Sequence, residues 1–599
     1  MADQDLTIAS APDPWRPIGG GEWVGTDASE RFPIYTRGNA GEVYPFVYRP
    51  LSFSIAQHAG ERAMRRAILR SGLIRPEELD DIPLSTGVGS GIFGGYAYLN
   101  LSIQRLIGAR VPGGSALDAD ASFLGTGEPP PHVPLPGERN RKASLAGLRY
   151  IWQLTGRNET PQLDQDALDI DRYLALLGPI GLATDRELSD SSAGELIERF
   201  TGWFETHLVV SFGAGALMSM LTQLCEKQFG DATIATRLMS GLGDVDSAAP
   251  SRAMWKLGRL IAANPSITGI FDAGIPGIGD RLREAAVDDE AVGEFVEVFG
   301  QFVAEFGSRG PNEWDTAFDT WETEPELALT LIDRMRLTDE SHAPDAQHDR
   351  LVAERRTLEA QVMTDLKWPL RRFFTRVLRS ARLHVQSRER AKTNIVKAIH
   401  GSRLRAQELD RRMIERSGGE RGDLWYLVAE ELDGYIADPG SYAATIGQRR
   451  ELHDRLAERI PPFYFEGQIP PLKEWELRSA TREQVKVGEV ITGLAGCAGV
   501  ARGRARIVID PGDPRGLEPG DVLVAPRTDP SWTPLFVPAD AVIVDVGAPM
   551  SHAVIVSREL GIPCAISVLD ATRRIPDGAI VEVDGGAGTV TIIEMPDGS

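Results

Sequence analysis

One histidine in the chain stands where a nucleophilic imidazole would be useful. Residues 541–566 read AVIVDVGAPMSHAVIVSRELGIPCAI. The β-branched run 541–546 predicts a buried strand, broken by Gly547-Ala548-Pro549. Ser551 is placed to N-cap a short helix running to about Leu560, with Gly561 as its left-handed stop and Pro563 just beyond. His552 then lies in the first turn of a helix, on a loop leaving a strand end. Unpaired backbone N–H groups at such a turn attract phosphate. The same field disfavours imidazolium and keeps the ring neutral, as a nucleophilic nitrogen requires.

The order Gly547, Ser551-His552, Arg558-Glu559, Gly561-Ile562-Pro563 resembles the signature of the swivelling phosphohistidine domain found in phosphoenolpyruvate synthase, pyruvate phosphate dikinase and rifampicin phosphotransferase. That resemblance implies that His552 is transiently phosphorylated. The run Arg527-Thr528-Asp529-Pro530-Ser531-Trp532-Thr533-Pro534-Leu535 is similar to the same domain, and it places Thr528 and Asp529 at a strand end flanking His552. Asp529 reads either as a carboxylate that orients the imidazole or as an Asx-turn residue before proline. Residues 494–503 resemble the family's glycine-rich opening of that domain, with Cys497-Ala498 in place of the usual small residue and serine.

A transferred phosphoryl group needs cations. Arg388 and Lys392 are one helical turn apart in RERAK and point the same way. Such a pair can clamp a phosphoryl group, but Arg382, Arg390 and Lys397 crowd the same segment and also fit a solvated basic face. The segment resembles the Arg-Glu-x-x-Lys helix of rifampicin phosphotransferase, which implies that Arg388 and Lys392 face the phosphohistidine. Residues 306–313, FGSRGPNE, resemble a Gly-His-Arg-Gly-Pro-x-Glu loop of that family, implying roles for Arg309 in transfer and Glu313 in substrate binding. Ser308 replaces the family's usual histidine, which leaves the general base unassigned. Near the start, TRGNAGEVYP (36–45) is similar to another motif of the family and adds Asn39 and Glu42 to the substrate-binding expectation, with Thr528 and Ser551. Taken alone, Arg37, Asn39 and Glu42 read equally as turn and cap residues.

The elements positioning these groups fall into four stretches: a loose arm at 1–30, a mainly helical acceptor domain at 31–468, a linker at 469–490 and a swivelling domain at 491–599. The fold class expected is multidomain, a large mainly α-helical substrate domain followed by a small α/β (β/β/α) phosphohistidine domain. From 145 to about 458 the apolar period is helical, whereas after 490 short strands alternate with Pro/Gly/Asp turns. Gly89–Gly94 satisfies GxGxxG, but a polar stretch precedes it and a strand-like YAYLNLS follows, so it reads as a glycine-rich turn. Residues 112–140 read as a long surface loop or lid. A length of 599 residues calls for several domains, and a net charge of −22 argues against nucleic acid or anionic membrane as a main partner. The apolar run 208–221 is expected to be too broken for a membrane span. Three separated cysteines, with no CxxC, fit a reduced cytoplasm.

A phosphohistidine also needs a donor. The sequence holds no GxxxxGK[ST] loop and no candidate for the ATP-grasp domain of rifampicin phosphotransferase, nor the barrel of the dikinases. The layout resembles the carrier subunit of phenylphosphate synthase and of the 4-cresol-phosphorylating enzyme. By that resemblance, ATP and Mg2+ are bound mainly by a separate ATP-grasp subunit, and His552 delivers the phosphoryl group to a small phenol held among the helices. Two alternatives stay open: a split rifamycin-type antibiotic phosphotransferase, and a carrier passing phosphate from protein to protein.

Overall fold

The computed structural model describes residues 26–111, 114–124, 129–242, 249–340, 343–480, 482–511, 517–548 and 551–596. Most of the expected N-terminal arm, parts of the expected lid, residues 512–516, and Pro549-Met550 beside His552 lie outside the described residues.

The helical layer is built on length. Helix α1 (Ala40–Val43) is a single turn, α2 (Pro50–Arg70) starts on a proline at its first position, α3 (Glu195–Phe229) runs 35 residues and α4 (Leu370–Ser417) runs 48. Helices α4 and α2 both pack along α3, and the three share an apolar cluster through Ala59, Phe200, Trp203, Ile395 and Ala398. The glycines expected to break 208–221 do not, since α3 passes through them. A Cβ at Gly213 would stand 2.9 Å from the His384 ring of α4, so the glycine permits close approach of the two long helices. By length and composition, Asp185–Phe229 is apolar enough to cross a membrane; in this fold it is packed between other helices. Helix α4 stops at Gly418, whose φ of 70° suits the left-handed stop.

A four-stranded antiparallel sheet closes the helical layer, in the order Ser90–Phe93, Tyr96–Asn100, Ile34–Thr36, Tyr464–Glu466. The GxGxxG stretch is therefore a strand as well as a turn: Ser90–Phe93 pairs with Tyr96–Asn100 around Gly94-Gly95, both at positive φ. The expected lid is not wholly loop either, since Ala116–Leu124 is helical and Asp120 pairs with buried Arg105.

The C-terminal region is an eight-stranded sheet in the order Val490–Thr492, Thr589–Glu594, Ile580–Asp584, Val500–Ile507, Val522–Ala525, Ala541–Val544, Cys564–Ile566, Leu494–Cys497. Its four consecutive strands from Val500–Ile507 to Cys564–Ile566 run parallel and are flanked by antiparallel pairs. Helix α5 (His552–Leu560) lies on one face and ends at Gly561, φ 67°. That face shares one apolar core with helices Ala249–Ala263 and Pro325–Arg336, through Trp532, Leu535, Phe536 and Val554. A large helical layer followed by a small α/β domain is thus the observed architecture. Residues 469–490 pack at both ends: Trp475 is buried against the small sheet, and Val485 against the large one. Arg482 pairs with both Glu476 and Asp570 between them.

Fully buried Arg403 of α4 fixes the loop at 308–316 by donating from one Nη to the carbonyls of Glu313 and Asp315, each at 2.9 Å. Arg403→Met strands both carbonyls, so it should cost about 2–4 kcal/mol of stability. A lowered thermal midpoint with faster proteolysis near residue 310 checks this; an unchanged midpoint would remove Arg403 as the loop's anchor.

Candidate phosphohistidine site

His552 opens α5, and each of its ring nitrogens has a threonine partner. Nδ1 is 3.1 Å from Thr528 Oγ1, and Nε2 is 3.0 Å from Thr533 Oγ1. Both threonines are buried; Thr528 lies in the turn after strand Val522–Ala525 and Thr533 opens the short helix Thr533–Phe536, so the ring's orientation is set by that segment. The Phe536 ring meets the imidazole edge-on, with centroids 6.0 Å apart. Burial, then Lys392, Arg388 and Arg309 in turn, hold the imidazole's proton affinity well below its usual range. The ring is accordingly neutral, with a lone pair on one nitrogen.

The three cations come from the helical layer. Lys392 Nζ lies 3.4 Å from Glu313 Oε1, and the same oxygen accepts a 3.0 Å hydrogen bond from Arg309. Arg309's other Nη donates to Thr393 at 2.7 Å, tying the loop to α4. Arg388 pairs with its buried neighbour Glu389 at 2.9 Å. The rest of the basic crowd faces elsewhere: Arg390 pairs with Asp164, Lys397 with Asp171, and Arg382 with Glu359. The one-turn spacing of Arg388 and Lys392 thus separates this pair from exposed Arg390 and Lys397 and from part-buried Arg382, each of which has an acidic partner elsewhere.

Several buried polar atoms around these cations have no hydrogen-bond partner among the described residues: Glu42 Oε1, His207 Nδ1, Glu313 Oε2 and Ser551 Oγ. Buried polar atoms are normally satisfied. Glu42 is buried at the end of α1, and Arg388, Lys392 and the Ala548 backbone N–H all act on it. Burial outweighs them and pushes its carboxyl up to about 8. His207 of α3 is pushed down to about 3 by burial, then by Arg388 and Lys392. Its ring is 5.4 Å from that of Trp314 and stacks on Phe204 at 5.9 Å, while Tyr44 meets Trp314 at 6.1 Å. Lys392 Nζ stands 6.0 Å from the Trp314 centroid. Aromatic rings thus adjoin the cations on the helical side.

Some expectations take a different form. Asp529 does not hold the imidazole: its Oδ1 accepts from the Ser531 N–H at 2.9 Å, an Asx turn, and its Oδ2 from the Asn312 N–H at 3.3 Å. It ties the histidine's turn to the Arg309 loop, and Thr528 is the residue that bonds the ring. Ser551 occupies the N-cap position of α5, but its hydroxyl caps nothing. Asn39 serves the turn into α1 at φ 65°, and Arg37 is spent on the carbonyls of Ala97, Tyr44 and Pro45. Sequence reasoning missed Thr533, His207 and Trp314. Thr533 sat within a quoted motif, three residues from an Asx-proline turn; nothing in the local sequence separates His207 from core histidines.

A neutral histidine buried in the fold but protonated when unfolded favours the folded state only above the unfolded pKa, near 6.5. That stability is lost as pH falls below it. For His207 the loss should reach about 2 kcal/mol by pH 4.5. His207→Asn should therefore flatten the fall in thermal midpoint between pH 6.5 and 4.5; an equally steep fall would refute the buried neutral state.

Residues 207–389 match the family described as the rifampicin phosphotransferase fourth domain, and residues 517–588 the mobile domain of PEP-utilising enzymes. An uncharacterised protein of Mycobacterium tuberculosis is 28% identical, over 95% of this chain and 62% of its own length. The uncharacterised phosphotransferase YvkC of Bacillus subtilis is 25% identical, over 73% of this chain and 54% of its own. Rifampicin phosphotransferase of Streptomyces sviceus is 33% identical, over 29% of this chain and 19% of that enzyme. The chain thus spans less than two thirds of the length of the first of these relatives. The chain is thus similar to the rifampicin phosphotransferases in two parts: His552 lies within the mobile-domain match, and Arg388 lies at the end of the fourth-domain match, with Lys392 three residues beyond it.

Proposed function

We propose that this chain is the carrier and acceptor component of a phosphotransferase that moves a phosphoryl group from ATP through phospho-His552 to the hydroxyl of a small phenol. We place ATP and Mg2+ on a separate ATP-grasp subunit. Among the described residues no three His, Cys, Asp or Glu side chains come together as a metal-holding group. The observation that carries the reading is the neutral His552 imidazole facing Lys392, Arg388 and Arg309 across the domain interface.

In the transfer step, an acceptor hydroxyl attacks phosphorus in line with the departing imidazole nitrogen. Negative charge spreads over the phosphoryl oxygens, where Arg388 and Lys392 stabilise it. Arg309 acts through Glu313, holding the loop and Lys392 in place. Thr528 and Thr533 hold the ring so that its reacting nitrogen does not rotate away. The aromatic group of Trp314, His207, Phe204 and Tyr44 beside Lys392 favours a flat aromatic acceptor. The family match to rifampicin phosphotransferase favours a second reading, a larger antibiotic-type acceptor. A protein-to-protein carrier is less favoured, because His552 faces into the helical layer.

With the ATP-binding partner present, His552→Ala should abolish acid-labile label from β- or γ-labelled ATP; surviving label sinks the carrier assignment. Arg388→Ala and Lys392→Ala should still accept label at His552 yet pass it on more slowly, by about 2–4 kcal/mol of barrier. Normal transfer by either variant removes it from the clamp. A screen of simple phenols against a rifamycin decides between the two acceptor readings.

A further inference from the structure

Glu42 differs from the structural carboxylates of this fold. Glu61 shows what a structural buried glutamate looks like here: Arg65 and the Val88 N–H donate to one oxygen, at 2.7 and 2.9 Å, and the Gly89 and Ser90 N–H groups to the other. Glu42 is buried as well, yet its Oε1 has no hydrogen-bond partner among the described residues. Its neighbours are also distinctive. The Ala548 N–H that acts on it belongs to the loop leading into His552, and Arg388 and Lys392 are the same cations that bear on His552. An unsatisfied carboxylate oxygen therefore sits beside both the cationic pair and the phosphohistidine loop.

We propose that Glu42 is the general base of the transfer step, taking the proton from the acceptor hydroxyl as the phosphoryl group leaves His552. The inference rests on the reading of His552 as the phosphoryl carrier. The bond between phosphorus and the imidazole nitrogen breaks and its electron pair returns to the ring. The acceptor oxygen forms the new bond to phosphorus, and its proton moves to Glu42 Oε1. When the Ala548 loop withdraws, that carboxyl is uncovered and loses the proton to water.

Other groups near the site fit this task less well. His207 is pushed down to about 3, so it binds a proton too weakly near two cations. Asp529 is engaged by Ser531 and Asn312; Glu313 also has an unpartnered oxygen, Oε2, but its carboxylate is held in ion pairs with both Arg309 and Lys392 through Oε1. Ser308 replaces the histidine of related loops with a hydroxyl that titrates nowhere near neutrality. A carboxyl raised to about 8 is close to the working pH, where a general base is most effective.

The test charges His552 on the full chain with phosphoramidate, a small chemical donor that bypasses the ATP-binding subunit. Discharge is then followed in water alone and with a series from phenol to 4-nitrophenol. Glu42→Gln should charge like the wild type but discharge at least ~10-fold more slowly to water and to phenol, with the loss shrinking toward 4-nitrophenol, whose proton needs least help. Discharge as fast as the wild type, or an equal loss across the series, overturns the proposal; the second result marks a merely structural glutamate. If the wild type discharges to water but to none of the phenols, the phenol assignment falls and the water comparison alone decides Glu42. No charging of wild-type His552 overturns the carrier reading and this inference with it. Should circular dichroism show Glu42→Gln unfolded, Glu42→Ala with added formate takes its place. Restored discharge supports the base, and none overturns it.

Discussion

Lys392 can stay charged inside this interface only because Glu313 is there, and Glu313 can stay fully buried only because Lys392 and Arg309 both reach its Oε1. Burial alone lowers the Lys392 ammonium's hold on its proton, and the carboxylates of Glu313 and Glu389 oppose that. Removing one member of such a group leaves an uncompensated charge, a penalty of several kcal/mol that holds the arrangement together. The site depends on this mutual dependence. It fixes the 306–313 loop against α4, sets Lys392's direction, and leaves Glu313 Oε2 without a hydrogen-bond partner among the described residues.

The mobile domain completes the site from the other side. Its Glu559 accepts from the Leu242 N–H at 3.1 Å, its Asp529 from the Asn312 N–H, and its Arg527 stacks over Phe46 at 4.7 Å. The apolar face around Trp532, Phe536 and Val554 continues into helices Ala249–Ala263 and Pro325–Arg336. The proposed travel of this domain toward a donor would expose that face, so apolar burial favours the docked pose. Arg527 illustrates the cost of docking charge: burial holds its guanidinium down to about 9. Asp529, the carboxylate that opposes this, is itself pushed up by burial.

Much of the architecture was legible because periodicity is a long-range signal. The switch from three-and-four spacing to short alternating strands near 490 marks the change from helical layer to sheet. The His552 turn was legible because glycine, serine and proline stand at the positions where backbone geometry needs them. What failed was pairing across distance. Asp529 was open to two readings, orienting the imidazole or closing an Asx turn, and only the fold decides: its carboxylate satisfies two backbone N–H groups, and the neutral Thr528 beside it meets the ring. The basic crowd on α4 could be divided only once its acidic partners on other helices were known. His207 lies in an apolar helix where core and site read alike, and its role depends on Trp314 and Lys392, 107 and 185 positions away in the chain.

Under the proposed function, the same cations serve His552 in opposite senses before and after phosphorylation. With the ring bare, Lys392, Arg388 and Arg309 repel a proton and preserve the lone pair. With a phosphoryl group in place, that field becomes attractive, since the group brings negative charge to the spot the cations already face. A carrier so arranged is held most firmly in the acceptor pose when loaded and less firmly when empty. Cationic residues that only neutralised a resting charge would give no such preference. Placing the cations on the helical layer, and not on the histidine's own domain, ties the electrostatic gain to docking, so loading and delivery are coupled without any further switch in the fold.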